Sequence, residues 1–85
     1  MQPVEIYTTR TCGYCSMAKR LLKKKGVAFD EISVSGRSGA RQEMMARSHG
    51  GYTVPQIFIG DRYVDGCDEL FALERAGKLD PMLKR

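Results

Sequence analysis

The 85-residue chain predicts an α/β fold, a mixed sheet of four strands flanked by helices in the order βαβαββα. Three observations carry this. Two β-rich segments enclose one strongly patterned helix within about 30 residues, the size of a βαβ unit with a right-handed crossover and a parallel strand pair. Gly60-Asp61, between two further β-rich segments, is a hairpin signal and calls for an antiparallel pair. The length suits one domain over residues 1–85, with a core near the lower limit for folding unaided.

Residues 4–8 (VEIYT) alternate and are rich in β-formers, so they predict the first strand. A helix follows Cys12: Cys15, Ala18, Leu21 and Leu22 recur at helical spacing, and Gly26 supplies its stop. Residues 27–34 carry Val27, Phe29, Ile32 and Val34 and read as the second strand. Ser35-Gly36-Arg37-Ser38-Gly39 is a loop, and Ala40, Met44 and Met45 mark a short helix that ends near Ser48, with His49-Gly50-Gly51 as its breaker. Residues 53–59 read as the third strand, entered through Val54-Pro55, and Arg62-Tyr63-Val64 as the return strand. A third helix begins around Asp65-Gly66-Cys67-Asp68, with Leu70, Phe71 and Leu73 on its apolar face and Gly77 after its end. Asp80-Pro81 caps a short last helix with proline at its first position. Linkers, repeats and low-complexity segments are absent from the sequence.

Composition excludes several classes. The apolar fraction of 42% and charged fraction of 28% are those of a soluble globular protein. No apolar run approaches the roughly 20 residues that span a bilayer, and no signal-peptide core stands at the N-terminus, so a cytoplasmic protein is expected. The net charge of +4 has its basic residues concentrated at Lys19, Arg20, Lys23, Lys24 and Lys25. A solvated helix face explains them, and attraction of an anionic partner is the sharper reading. Nucleic acid is not expected, because no aromatic residues interleave the basic run and no binding motif is present.

The chemistry-bearing stretch is Thr11-Cys12-Gly13-Tyr14-Cys15. A Cys12–Cys15 bridge would close so short a loop that it stabilises by only about 2 kcal/mol. It is a poor staple and makes more sense as a bond meant to open. Cys12 falls at the expected start of the first helix, where free N–H groups and the positive dipole end favour a thiolate. Cys15, one turn further in, is expected to be more buried and to resolve a mixed disulfide. A zinc knuckle is disfavoured, since only Cys67 and His49 remain and no second close-spaced pair exists. No metal ligand set is therefore assigned. Ser16 stands where haem attachment requires histidine.

Two further motifs accompany the dithiol. Thr53-Val54-Pro55 is either a strand-start proline or a cis proline whose preceding N–H and C=O are open to an extended peptide. Gly66-Cys67-Asp68 is a helix cap with Asp as a good capping residue, or a cap that also binds a ligand: helix N–H groups for a carboxylate and Asp68 for an ammonium. Cys67 reads as a small buried residue rather than a third reactive thiol.

With these three motifs in order, the chain resembles the glutaredoxins over essentially its full length, specifically the short bacterial dithiol type. The residues that carry the resemblance are Cys12 to Cys15, Thr53-Val54-Pro55-Gln56-Ile57-Phe58-Ile59, and Gly66-Cys67-Asp68-Glu69-Leu70. The resemblance implies a thioredoxin-like fold with Pro55 cis and glutathione as co-substrate. It implies Cys12 as nucleophile, Cys15 as resolving thiol and Tyr14 lining the groove. Thr53 and Val54 would pair with the tripeptide backbone beside Pro55, Gly66, Cys67 and Asp68 would take its γ-glutamyl end, and Gln42 would offer a polar contact to its glycine carboxylate.

Two departures stand out. Gly13 replaces the proline usual after the first cysteine, and family members lacking that proline include some that hold a two-iron, two-sulfur cluster between protomers through the first cysteine and glutathione. Cys12 would be the cluster ligand here. Thr9 stands where a lysine is common, and the neighbouring Arg10 is expected to leave the strand on the opposite face. The expected activity is glutathione-dependent reduction of protein–glutathione mixed disulfides and protein disulfides by a monomer. The alternatives are a cluster-binding dimer, or a thioredoxin-reductase-fed electron donor to ribonucleotide reductase.

Overall fold

Alternation along the first strand sorts the molecule into two layers. The computed structural model describes residues 2–36 and 38–84, so Arg37 of the predicted loop lies outside the described residues. The elements are β1 (Val4–Thr8), α1 (Gly13–Lys24), β2 (Asp30–Ser33), α2 (Ala40–Arg47), β3 (Gln56–Ile59), β4 (Arg62–Val64), α3 (Cys67–Arg75) and α4 (Leu79–Lys84). The strands form one sheet in the order β2-β1-β3-β4. β1 runs parallel to β2, with Tyr7 opposite Ile32, and antiparallel to β3, with Ile6 opposite Ile57; β3 and β4 are antiparallel. The mixed sheet with flanking helices is the architecture the sequence predicts.

Because successive strand residues point to opposite faces, Val4, Ile6, Ile57, Ile59 and Val64 share one side. There they pack with Ala18, Leu21 and Leu22 of α1, Leu70 of α3, and Leu79 and Leu83 of α4. Tyr7 and Phe58 face the other way and pack with Val34 and with Ala40 and Met44 of α2.

Four boundaries differ from the sequence reading, each for a local reason. The second strand begins at Asp30 rather than Val27. Gly26 is left-handed (φ 73°), its N–H donates to the Lys23 carbonyl at 3.0 Å, and the Val27 N–H donates to the Leu22 carbonyl at 3.0 Å. This is a Schellman closure, so Val27 commits its amide to the end of α1 and its side chain to the core. The third strand begins at Gln56 rather than Thr53: Pro55 has no N–H for a ladder, and the Val54–Pro55 bond is cis. The cap of α3 is Gly66, not an aspartate; Asp68 lies inside the first turn. The last helix starts at Leu79, so Pro81 is its third residue, still within the first turn, where an N–H has no intrahelical partner.

The basic run on α1 is also only partly a solvated face. Arg20, Lys23 and Lys24 are exposed. Lys19 pairs with Glu31 at 3.0 Å, while Lys25 bridges Glu74 at 2.7 Å and Asp80 at 2.9 Å, tying the ends of α1, α3 and α4 together. Arg10 lies beyond the end of β1 at Thr8, so strand alternation does not set its direction.

Candidate active site

The end of β1, the start of α1 and the start of α3 lie toward one end of the strands. Cys12 is the residue at which the extended chain turns into α1: its backbone is extended (φ −94°, ψ 109°), and its Sγ accepts the Cys15 N–H at 3.0 Å. The sulfur thus fills the place that a serine or aspartate oxygen takes at an ordinary helix cap. The first turn of α1 carries no acidic residue of its own, so the helix itself brings no carboxylate to its positive end. The Cys12 thiol also reaches the Val54 carbonyl at 3.7 Å. All three cysteines are free thiols.

One turn along, Cys15 is 1% exposed. Burial, then its hydrogen bond with Cys12, pushes its thiol up to about 12, while the backbone of Thr9 and the charge of Lys19 pull the other way. Two thiols one helical turn apart therefore differ in kind, one half-exposed at the helix start and one enclosed. Cys67 is buried, and its thiol is also raised, first by burial and then by the charges of Asp68 and Cys12.

A cleft of about 340 Å³ opens beside this pair. Its walls join all three motifs: Tyr14 from α1, Thr53, Val54 and Pro55 from the segment before β3, and Gly66, Cys67 and Asp68 from the start of α3. Gly66 allows a close approach, since a Cβ there would lie 3.3 Å from the Pro55 carbonyl oxygen, a tight contact. No side chain caps α3. Its first-turn N–H groups are thus open to an anion, with the Asp68 carboxylate beside them. Gln42 stands exposed on α2 and does not line the cleft, and the two thiols Cys12 and Cys15 lie beside its walls rather than in them.

Other residues belong to the site without having been singled out by sequence. Asp65 and Glu69 line the cleft, and make its α3 side strongly anionic. Gln56 is buried and donates to the Thr53 carbonyl at 2.9 Å and the Thr53 Oγ1 at 3.2 Å, while the Tyr63 hydroxyl donates to Gln56. It fixes the wall that Thr53 presents. Arg41 donates to the Tyr52 carbonyl at 2.7 Å, placing a cation beside the same segment. A glutamine directly after the proline in an otherwise apolar run was the available signal for Gln56; nothing in the sequence places Arg41 there.

A glutaredoxin family profile matches residues 4–64. The chain belongs to the glutaredoxin family. Glutaredoxins are thiol–disulfide oxidoreductases, and the close Cys12–Cys15 pair is of the kind such chemistry uses. Among its relatives, the Pseudomonas aeruginosa glutaredoxin is 58% identical over 83 residues, covering 98% of each chain. Glutaredoxin 3 of Escherichia coli K12 is 54% identical over 84 residues, covering 99% of this chain and all of that one (100%). Among solved structures, a buckwheat glutaredoxin–glutathione complex superposes with a TM-score of 0.87 at 35% identity, covering 98% of this chain and 77% of that one. Among the described residues, no helix is long and apolar enough to cross a membrane.

Proposed function

We propose that this glutaredoxin is a glutathione-dependent enzyme that reduces protein–glutathione mixed disulfides and protein disulfides. The observation that carries the reading is the cleft itself. It sets a backbone carbonyl at Val54, an uncapped helix start at Gly66 and a carboxylate at Asp68 around the approach to Cys12. Glutathione presents a peptide backbone, a carboxylate and an ammonium in its γ-glutamyl half, which are the complements of those three groups. The buckwheat relative was solved in complex with glutathione.

In this mechanism the Cys12 thiolate attacks the glutathionyl sulfur of a mixed disulfide. The protein thiol leaves, and a second glutathione thiolate displaces glutathione disulfide from Cys12. With a protein disulfide, Cys15 displaces the substrate from Cys12, and glutathione then reduces the Cys12–Cys15 bond. Potentials of about −200 to −230 mV for glutaredoxins lie within reach of the cytosolic glutathione pool. The cell compartment proposed is the cytoplasm, and the partners are glutathione and glutathionylated or disulfide-bearing proteins.

A coupled assay with a glutathionylated protein tests this. Cys15→Ser should keep deglutathionylation and lose dithiol reduction, and Cys12→Ser should lose both. Glutathione that cannot reduce the Cys12–Cys15 disulfide would favour a donor fed by thioredoxin reductase. The cluster reading draws on a separate observation: nothing lies within 4 Å of a Cβ built at Gly13, so the space beside Cys12 is open. A cluster would take one thiolate, Cys12, from each of two copies. A coloured dimer after anaerobic reconstitution with iron, sulfide and glutathione is its test.

A further inference from the structure

The proposed mechanism asks the less reactive thiol to act as a nucleophile. Cys15 is enclosed and its proton is held tightly, yet resolution needs its thiolate. A chain of polar contacts joins β1, β2 and α1 and ends one turn along α1 from Cys15. Thr8, the last residue of β1, is 1% exposed, and its hydroxyl donates to Glu31 Oε2 at 2.7 Å. The same oxygen accepts the Lys19 ammonium at 3.0 Å. Lys19 stands four residues after Cys15 on α1, on the same face one turn along. Its side chain is 28% exposed and is held by the Glu31 carboxylate on β2.

We propose that Lys19, held by Glu31 and Thr8, is a positioning residue that stabilises the Cys15 thiolate during resolution. The groups that act on Cys15 are the Cys12 sulfur, the Thr9 backbone and the Lys19 charge; of these, Lys19 is the only full cation. Glu31 is held below the ordinary carboxylate range, first by the Thr8 hydroxyl, then by Lys19, with Lys23 adding a smaller effect. It stays charged at neutral pH and keeps Lys19 anchored. Glu31 also limits the attraction that Lys19 exerts, so Cys15 is eased toward ionisation without becoming a thiolate at rest. That separation of roles suits a dithiol enzyme. A resting Cys15 thiolate would compete with Cys12 for substrate, whereas a fully isolated Cys15 would resolve too slowly.

The step balances without an added oxidant. Cys15 gives its proton to solvent and its sulfur attacks Cys12 Sγ. The Cys12–Cys15 bond forms, the bond from Cys12 to the substrate sulfur breaks, and the substrate leaves as a thiolate that takes up a proton from solvent.

The inference rests on the dithiol mechanism above but not on glutathione, and the experiment uses none. The full chain is loaded at Cys12 with 5-thio-2-nitrobenzoate as a mixed disulfide, and release of the coloured thiolate is followed by stopped flow across the neutral to mildly alkaline range. A Cys15→Ser control establishes which release is due to Cys15. Lys19→Met should slow the Cys15-dependent release about three- to tenfold and shift its pH profile upward, in the direction that losing the Lys19 charge implies. Lys19→Arg should restore both rate and profile. The first attack, by Cys12 on 5,5′-dithiobis(2-nitrobenzoate) in a Cys15→Ser background, should run at the same rate with Lys19 or Met at that position. An unchanged release profile in Lys19→Met, or a slowing that Lys19→Arg does not reverse, would overturn the proposal. Failure of glutathione to serve as reductant, with the Lys19 effect intact, would instead count against glutathione dependence alone.

Discussion

The two faces of the sheet solve the same packing problem differently. Beneath α1, α3 and α4 the filling is aliphatic, centred on Ile6, Leu22, Ile57, Ile59 and Leu70. Beneath α2 it is aromatic and polar. The buried Tyr7 hydroxyl donates to Glu43 at 2.5 Å and accepts from Arg47 at 2.9 Å, Arg47 also pairs with Glu5 at 2.8 Å, and its guanidinium lies 4.1 Å from the centre of the Phe58 ring. The twelve-residue amphipathic α1, with α3 and α4, covers the aliphatic face with apolar side chains. The eight-residue α2 buries only Ala40 and Met44, and its contact with the sheet is completed by a hydrogen-bonded arginine. Short helices with little apolar surface depend on directed contacts, which are more position-sensitive and individually weaker than a filled core.

The largest break in this comparison is expected at the aliphatic face. Leu22→Ala removes a fully buried side chain and should cost about 2–5 kcal/mol in chemical unfolding. That is a large share of the stability of so small a domain. On the other face, Arg47→Leu keeps volume but removes the charge, its hydrogen bonds and its place over Phe58. A loss of about 1–3 kcal/mol is expected, with the sheet and the thiols in place by NMR chemical shifts. A cost as large as that of Leu22→Ala would show that the polar layer, not the aliphatic one, dominates.

A smaller effect separates helix ends. α1 and α3 close on left-handed glycines, Gly26 and Gly77, but the corresponding residue after α2 is His49, at φ 57°. His49→Gly relieves that conformation and should raise stability by less than about 1 kcal/mol, partly offset by glycine's freedom when unfolded. The smallest effect is electrostatic and lies on the aliphatic side. Lys25 holds the Asp80 carboxyl below its ordinary value. A depressed folded-state pKa means the contribution is present above the unfolded value of about 3.9 and is lost as pH falls through the lower folded value. Unfolding midpoints measured down to strongly acidic pH should therefore fall less steeply in Asp80→Asn than in the parent; equal slopes would show that the contact is fully screened.

The helical layer was legible because its signal is periodic: Cys15, Ala18, Leu21 and Leu22 repeat along one helix, and all four are buried. The α2 layer was not. Glu5, Arg47 and Tyr7 meet from positions about 40 residues apart, and no local pattern marks them as partners. The site divides the same way. Its three motifs could be read as residues, but their meeting around one cleft is a product of the tertiary structure. The Gln56 clamp on Thr53 and the Arg41 contact with Tyr52 could not be read, since each depends on how a loop returns to the sheet.

The sequence alone determined the element order, the mixed sheet and the pair of thiols at a helix start, because periodicity, turn chemistry and spacing act over a few residues. Only the tertiary structure decided that Val27 belongs to a helix end rather than a strand and that Gly66, not an aspartate, opens α3. It likewise decided that Lys19 lies against Glu31 beside the enclosed thiol. Those outcomes turn on which distant group satisfies each amide, carbonyl and charge once the chain has closed, and a local pattern carries no record of that choice.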